Sequence, residues 1–317
     1  TETKMKIGKK SAVNTSIDLA NWMGNLDDSK RNTPINFIAI PGSHDSMTYG
    51  ISRFSQISPD AEDTVKQLAK CFKPFVKLIM YGWSVTQGQA VLKQLNMGIR
   101  YFDLRVATKE KNPDFYFVHG MYGNNIYSAL SSIAEFLDAH VKESVILDFQ
   151  HFYSFNYTDH QRLVDLLNKV FGDKLCPRPS DVRSVTMNWM MENNNQVIII
   201  YRNSFASNEP FLWPSNLWPT PWPNTMDVSE LMQYLKEHLA KRPQNAGFVS
   251  QCVLTPQTST VARNCFSGVK SKCAIPVSRT IIPWIQQQSP PLNVAIADFV
   301  EMKNANFPLS VISLNYS

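Results

Sequence analysis

No apolar run in this chain of 317 residues approaches the roughly 18–20 residues that a membrane-spanning helix needs. No signal-peptide pattern opens it, and the first residue is Thr rather than Met, as in a trimmed form. Cysteine is scarce and unpaired in pattern. Cys71, Cys176, Cys252, Cys265 and Cys273 are an odd number with no CxxC among them, which argues against a zinc site and against a disulfide scaffold. Reduced thiols in the cytosol are the simplest reading. Secretion is the alternative, raised by N-x-S/T sequons at Asn14, Asn156 and Asn315. No Gly-rich phosphate loop, nucleophile elbow or cluster of metal ligands appears, so no metal or cofactor is expected. Charge of one sign is also in short supply. The net charge is +5, with much of the excess in Lys4, Lys6, Lys9 and Lys10, and residues 1–19 read as a solvated tail. No single stretch carries the basic and aromatic groove that a nucleic acid would need.

What the chain does contain is apolar runs at strand length. They are "INFIAI" (35–40), "IRYFDLRV" (99–106), "FYFV" (115–118), "SVILDF" (144–149), "QVIIIY" (196–201), "GFVSQCVL" (247–254) and "NVAIADFV" (293–300). Most are near-continuous rather than alternating, as in parallel strands covered on both faces. Helical patterns lie between several of them. Ser84 with Gln87, Thr158 with Gln161 and Asp227 with Glu230 have capping-box spacing, and 128–141 has apolar positions at helical intervals. Strand then helix, repeated, predicts an α/β fold, and seven strands in this length predict one irregular (β/α) barrel over residues 20–317. The 100–114 interval is too short for a crossover helix, so the irregularity is expected there. The segment "FLWPSNLWPTPWPN" (211–224) is too rich in proline for regular structure.

The opening of the first strand's exit, "IPGSHDS", places His44 and Asp45 side by side. Other strands end in a similar way. Asp103 and Arg105 lie two apart on the second, His119 closes the third, and Asp148 and Gln150 end the fourth. Arg202 ends the fifth and Asp298 the last. In a (β/α) barrel these C-terminal ends form one face, the active-site face. Each residue has a plainer explanation: an Asp after a strand caps the next helix, and Arg105 pairs with Asp103. All of those explanations must hold together to remove the pattern. His140, His151, His160 and His238 read as surface or packing residues.

Two histidines with carboxylate orienters suit a paired general base and general acid, and an arginine between them suits a phosphate. The chemistry expected is phosphodiester cleavage by a neighbouring hydroxyl of the substrate. One imidazole takes the proton of that hydroxyl, and the other gives a proton to the leaving alkoxide.

At these residues the chain resembles the phosphatidylinositol-specific phospholipase C X-domain-containing proteins. The resemblance rests on "IPGSHDSMTY", "GIRYFDLRVA", "FYFVHGMY", "SVILDFQHFY", "FLWP" and "IADFVE", in order over roughly residues 20–315. It implies a distorted (β/α) barrel related to the small bacterial phosphatidylinositol phospholipases C. It implies His44 as general base with Asp298 as its orienter, His119 as general acid paired with Asp45, and Arg105 on the phosphate with Asp103 supporting it. It places Arg202, Gln150 and Gln251 at inositol contacts. It also implies a metal-independent enzyme, because calcium-dependent relatives carry an acidic ligand where Arg105 stands. The expected partner is an inositol phospholipid met at a membrane surface by a cytoplasmic monomer. Docking is expected through "CFKPFVKLIMYGW" (71–83) or the Trp/Pro segment with Trp213, Trp218 and Trp222. Two other readings stay open: a phosphodiesterase on another substrate, such as a glycerophosphodiester or RNA, and a catalytically silent inositol-lipid-binding module.

Overall fold

In the computed structural model, which describes residues 17–288 and 292–316, strand alternation sorts apolar from polar side chains. The strands are β1 (Ile40–Ser43), β2 (Tyr101–Lys109), β3 (Asn112–His119), β4 (Met121–Asn125) and β5 (Val145–Tyr153). They continue with β6 (Val197–Tyr201), β7 (Leu212–Trp213), β8 (Val249–Gln251) and β9 (Val294–Ala297). Seven of them form a curled sheet in the order β7-β6-β5-β2-β1-β9-β8, with every neighbouring pair parallel. This is the single α/β domain of an irregular half-open barrel. The excursion expected around 100–114 is an antiparallel arm: β3 pairs with the far end of β2, and β4 with β3.

Successive side chains on a strand point to opposite faces, so each strand contributes to two cores. Phe102, Leu104, Leu147, Phe149, Ile199 and Ala295 pack against the helices outside. Tyr101, Ile146, Ile198, Ile200, Val249, Val294 and Ile296 fill the inner face, which Trp22, Met23 and Leu26 help to cover. Gly42 faces the same interior: a Cβ there would lie 2.8 Å from both Tyr101 and Ile296. Extending the inner face by two residues toward the strand exits reaches His44, Asp103, Asp148, Arg202, Gln251 and Asp298. The same alternation therefore builds an apolar floor and a polar mouth.

No strand ladder joins β7 to β8 among the described residues. The Trp/Pro segment closes that seam. Gly247, Val249 and Thr255 donate backbone N–H groups to the carbonyls of Leu217, Pro219 and Thr225 at 2.9, 3.0 and 2.8 Å. Trp213 and Trp218 are fully buried in the inner core, and a Cβ on Gly247 would fall 2.1 Å from the Trp218 ring. Of the three tryptophans expected at a membrane, only Trp222 is exposed.

Several local expectations are corrected. Residues Ile35–Phe37 form a 3-10 turn, and the first strand starts only at Ile40. Ser84 caps nothing: it is the last residue of a helix, Asp63–Ser84, and the next helix begins at Val91. Tertiary bonds take over there, since the Ser84 carbonyl and the Gln87 amide are used by the site. The helix predicted from Thr158 is capped two residues earlier, by Asn156 with a reciprocal Asp159. Asp227 does cap Val228–Ala240, and the helix foreseen over 128–141 runs Ile126–Ala139. Lys4, Lys6, Lys9, Lys10 and Asn14 lie outside the described residues. The Asn315 sequon is unusable in the fold, because its buried side chain is bonded to both backbone groups of Ala39 at 2.9 and 2.8 Å. No described helix is long and apolar enough to cross a membrane, and all five cysteines are free thiols.

Candidate active site

The loop leaving β1 carries two of the functional side chains. Asp45 has φ +42°, a left-handed backbone that a non-glycine residue adopts only when its surroundings impose it. Here they do. Gln87 Nε2 donates to the carbonyls of His44 and Ala297 at 2.9 and 2.8 Å, and Thr86 Oγ1 donates to those of His44 and Asp45. The exits of β1 and β9 are thus tied together, and His44 meets Asp298 with Nδ1 2.8 Å from Oδ1.

His119 arrives from the antiparallel arm. Its Nδ1 donates to the Ser84 carbonyl at 2.8 Å, at the end of the long helix. A carbonyl only accepts, so the proton on Nδ1 is assigned and Nε2 is turned inward. The two imidazoles face each other with ring centroids 6.4 Å apart. Asp45 lies between them, Oδ2 being 3.3 Å from His44 Nε2 and 3.2 Å from His119 Nε2. Its other oxygen, Oδ1, forms an ion pair with Arg105 Nε at 2.6 Å. Asp103, expected from sequence to support Arg105, acts on it through its charge and not through a direct ion pair. Its carboxylate accepts from the Asp45 backbone at 3.1 Å and lies 3.9 Å from His44 Nε2.

Burial opposes every charge in this cluster, so the shifts report the partners. Burial alone would lower the His44 imidazolium, but Asp45 and then Asp298 and Asp103 push it up to about 9. Burial would raise the Asp45 carboxyl, yet Arg105, His119 and His44 hold it well below the usual carboxylate range. Asp103 is raised, by burial and by the neighbouring Asp45 charge. A consequence for stability follows from His44. Its folded pKa lies above the ordinary value of 6.5, so its stabilisation is complete below pH 6.5 and is lost as pH rises toward 9. The urea midpoint of the native protein is expected to fall across that window more steeply than that of His44→Ala. Parallel profiles would show that His44 is not the group responsible.

All six residues foreseen as catalytic (His44, Asp45, Asp103, Arg105, His119 and Asp298) therefore come together. The residues foreseen at inositol contacts separate. Gln150 and Gln251 line a cavity of about 260 Å³ beside Arg105, together with Asp103, His151, Thr220 and Trp222. Arg202 is not in its lining. Its guanidinium is held by Asp148, Nε and Nη2 donating at 2.8 and 2.7 Å, and by the Trp218 carbonyl. His151, Thr220 and Trp222 were missed. In β5 the partner of Leu104 is Phe149 and that of Arg105 is His151, so Gln150 is an extra residue in a bulge. A bulge breaks period-two alternation, and nothing in "LDFQHFY" signals it. His160 and His140 are packing residues as expected, bonded to Tyr201 and Asn21.

His44, Asp45 and Asp103 are the one group among the described residues whose ligand atoms converge as a metal would need, within 4.8 Å of one another. The fit to a divalent cation is poor, because the Arg105 guanidinium already sits on Asp45.

The phosphatidylinositol-specific phospholipase C X-domain model matches residues 80–203. Human PI-PLC X domain-containing protein 3 is 37% identical over 306 residues, covering 95% of this chain and 94% of that protein. Human PI-PLC X domain-containing protein 2 is 41% identical over 266 residues, with 82% of this chain and 86% of that protein covered. The chain belongs to the PI-PLC X domain-containing protein family. Among solved structures it has the fold of the phosphatidylinositol-specific phospholipase C of Listeria monocytogenes, with TM-score 0.65, 18% identity, and 94% and 99% of the two chains covered. A Staphylococcus aureus phosphatidylinositol-specific phospholipase C, from work on modulating its membrane binding, superposes with TM-score 0.60 at 16% identity over 93% and 97% of the two chains. In this PI-PLC X domain protein the two histidines lie at the exits of β1 and β3.

Proposed function

We propose that this PI-PLC X domain protein is a metal-independent phosphodiesterase that cleaves phosphatidylinositol at a membrane surface. The observation that carries the reading is the pair of imidazoles facing each other across Asp45 and Arg105, each anchored through Nδ1. His44 Nε2 takes the proton of the inositol 2-hydroxyl, and Asp298 holds the imidazolium that forms. The freed oxygen attacks phosphorus while Arg105 neutralises the charge on the non-bridging oxygens. His119 Nε2 gives a proton to the glycerol oxygen as the P–O bond breaks. The products are diacylglycerol and a cyclic inositol phosphate, and water in the reverse sense opens the ring. Only His44 lacking its Nε2 proton acts as base, so with a pKa near 9 the ascending limb of the pH profile lies on the alkaline side of an ordinary imidazole.

The test is release of cyclic inositol phosphate from phosphatidylinositol vesicles in EDTA. A protein inert in EDTA and revived by calcium would overturn metal independence. A protein that binds the vesicles and never turns over would be the silent lipid-binding module.

The helix Asp63–Ser84 is the proposed docking element. Two helical stretches meet here at a kink at Phe72, beside Pro74, and Leu68, Phe72, Phe75 and Leu78 are all exposed; Phe266, 81% exposed, packs edge-on against Phe75. Exposed Lys70 and Lys73 stand on the same helix. An unpartnered apolar stripe flanked by cations fits an anionic lipid surface. This helix ends at Ser84, against His119, so a bilayer met by it lies next to the acid. Replacing Phe72 and Phe75 by serine is expected to lower turnover of vesicle substrate about tenfold or more, the order lost with two buried aromatic contacts, and to spare a soluble inositol phosphodiester. Equal losses on both substrates would make the stripe structural.

A further inference from the structure

His119 is followed by a left-handed glycine, and that glycine is held from outside the sheet. His119 and Met121 pair across the turn from β3 to β4, and Gly120 between them has φ +68°. A Cβ there would lie 3.0 Å from the hydroxyl of Ser84, the residue whose carbonyl holds the His119 ring. The turn therefore needs glycine for both its conformation and its closeness. Glycine is also the residue with the widest backbone freedom, so the groups bonded to it decide where it sits.

Those groups come from the loop that leads into the helix Asp63–Ser84. Residues 56–60 run along the turn. Tyr122 N–H donates to the Gln56 carbonyl at 2.9 Å, Ile57 bridges Met121, and Ser58 N–H donates to the Gly120 carbonyl at 3.1 Å. Asp60 takes the remaining backbone group of the glycine. Its Oδ2 accepts the Gly120 N–H at 2.6 Å, short as for a bond to a charged acceptor. Its Oδ1 accepts from the hydroxyl of Ser58, a buried residue, so the carboxylate is itself fixed. Lys66, on the first turns of the helix, ties the loop down by donating from Nζ to the Pro59 carbonyl at 2.9 Å. The dipeptide His119–Gly120 is thus clamped from both ends of one helix, by Asp60 ahead of its first turn and by Ser84 at its last.

We infer that Asp60 is a positioning residue for the general acid: by fixing Gly120 it fixes where His119 presents Nε2. The inference rests on the phosphodiesterase reading for the task of His119, and adds the group that places it. His119 has Nδ1 on the Ser84 carbonyl and Nε2 3.2 Å from Asp45, and both distances depend on where the turn carries the ring. Misplacing a reacting group by about 1 Å costs about a hundredfold in rate. Two other routes from Asp60 to the reaction have different signatures. Its charge reaches Arg105, after those of Asp45 and Asp103. A loss through Arg105 is felt by every phosphodiester, whereas a loss through His119 is felt only where the leaving oxygen needs a proton. A loss through the docking helix disappears on soluble substrates.

Two soluble inositol phosphodiesters separate these routes, one with an alkoxide and one with a nitrophenolate leaving group. Asp60→Ala is expected to lower kcat on the alkyl ester about 10–10²-fold with KM little changed. On the nitrophenyl ester it is expected to lose about threefold or less. Asp60→Asn keeps an acceptor for the Gly120 N–H and is expected to restore most of the rate. In a His119→Ala background, Asp60→Ala should cost nothing further. Equal losses on the two esters, or losses that multiply with that of His119→Ala, overturn the inference. Should Asp60→Ala not fold, Ser58→Ala frees one side of the carboxylate and should give a smaller loss of the same kind. No loss there, or an equal one on both esters, overturns it as well. Proton NMR keeps the inference apart from the catalytic reading. The His119 Nδ1–H signal, absent in His119→Ala, should persist in Asp60→Asn and be shifted or lost in Asp60→Ala. That pattern in a protein that cleaves neither ester would leave the positioning of His119 standing and sink its role as acid. A signal that Asp60→Ala leaves unmoved overturns the positioning.

Discussion

Turnover of phosphatidylinositol by His119→Ala is expected to fall by about 10²–10⁴-fold, the range for losing a general acid or base, and His44→Ala is expected to fall as far. The two losses should differ in kind. His119 Nε2 serves the leaving oxygen, so an inositol phosphodiester with a good leaving group, such as a nitrophenolate, needs little protonation. The His119 variant should recover most of its rate on that substrate. His44 serves the attacking hydroxyl, which is the same in both substrates, so its variant should stay slow. A shared failure to recover, with the urea midpoint unchanged, would mean that the two imidazoles do not divide the roles of acid and base. Near-normal turnover by either variant would sink the two-histidine mechanism altogether.

The second large effect is expected from Arg105→Met, which should lower kcat by about 10²–10³-fold, as for removal of a group that stabilises charge in the transition state. The same change leaves Asp45 buried without its strongest partner. Neither Asp45 oxygen, nor Arg105 Nε, has a well-aligned hydrogen bond, so the cluster is held by charge. With Arg105 gone, the Asp45 charge is shared by the two imidazoles alone, and loss of the neighbouring cation favours their protonated forms. The ascending limb of the pH profile should therefore move to higher pH, since Asp45 is the largest influence that raises His44. Arg105→Lys keeps the charge but not the planar fork, and an intermediate loss is expected. A pH profile unmoved in Arg105→Met would separate Asp45 from the titration of His44.

Much of this arrangement was legible in the chain itself. Six residues at strand exits, read only as His, Asp and Arg after apolar runs, do converge: alternation and parallel order bring His44, Asp103 and Asp298 to one end of the sheet, while His119 reaches it from the antiparallel arm. The helix cap at Asp227 and the mostly irregular course of the proline-rich segment were visible for equally local reasons, although the chain did not show the short strand Leu212–Trp213 or that this segment closes the seam. Other features depend on contacts between distant residues. Ser84 has the spacing of a helix start and is a helix end, because its carbonyl is placed to meet His119, 35 positions away. Arg202 sits in register with the other exits, yet Asp148 turns its guanidinium back toward the wall. His151 enters the cavity only through the β5 bulge, which is set by pairing with β2. Trp213 and Trp218 look the same as Trp222 in sequence, and packing alone buried two and exposed one. Local pattern determines which residues can share a face, since that depends on backbone periodicity. Which of them share a charge, a proton or a cavity is decided by partners as far as 35 and 254 residues away, Ser84 for His119 and Asp298 for His44, and only the folded chain brings those within reach.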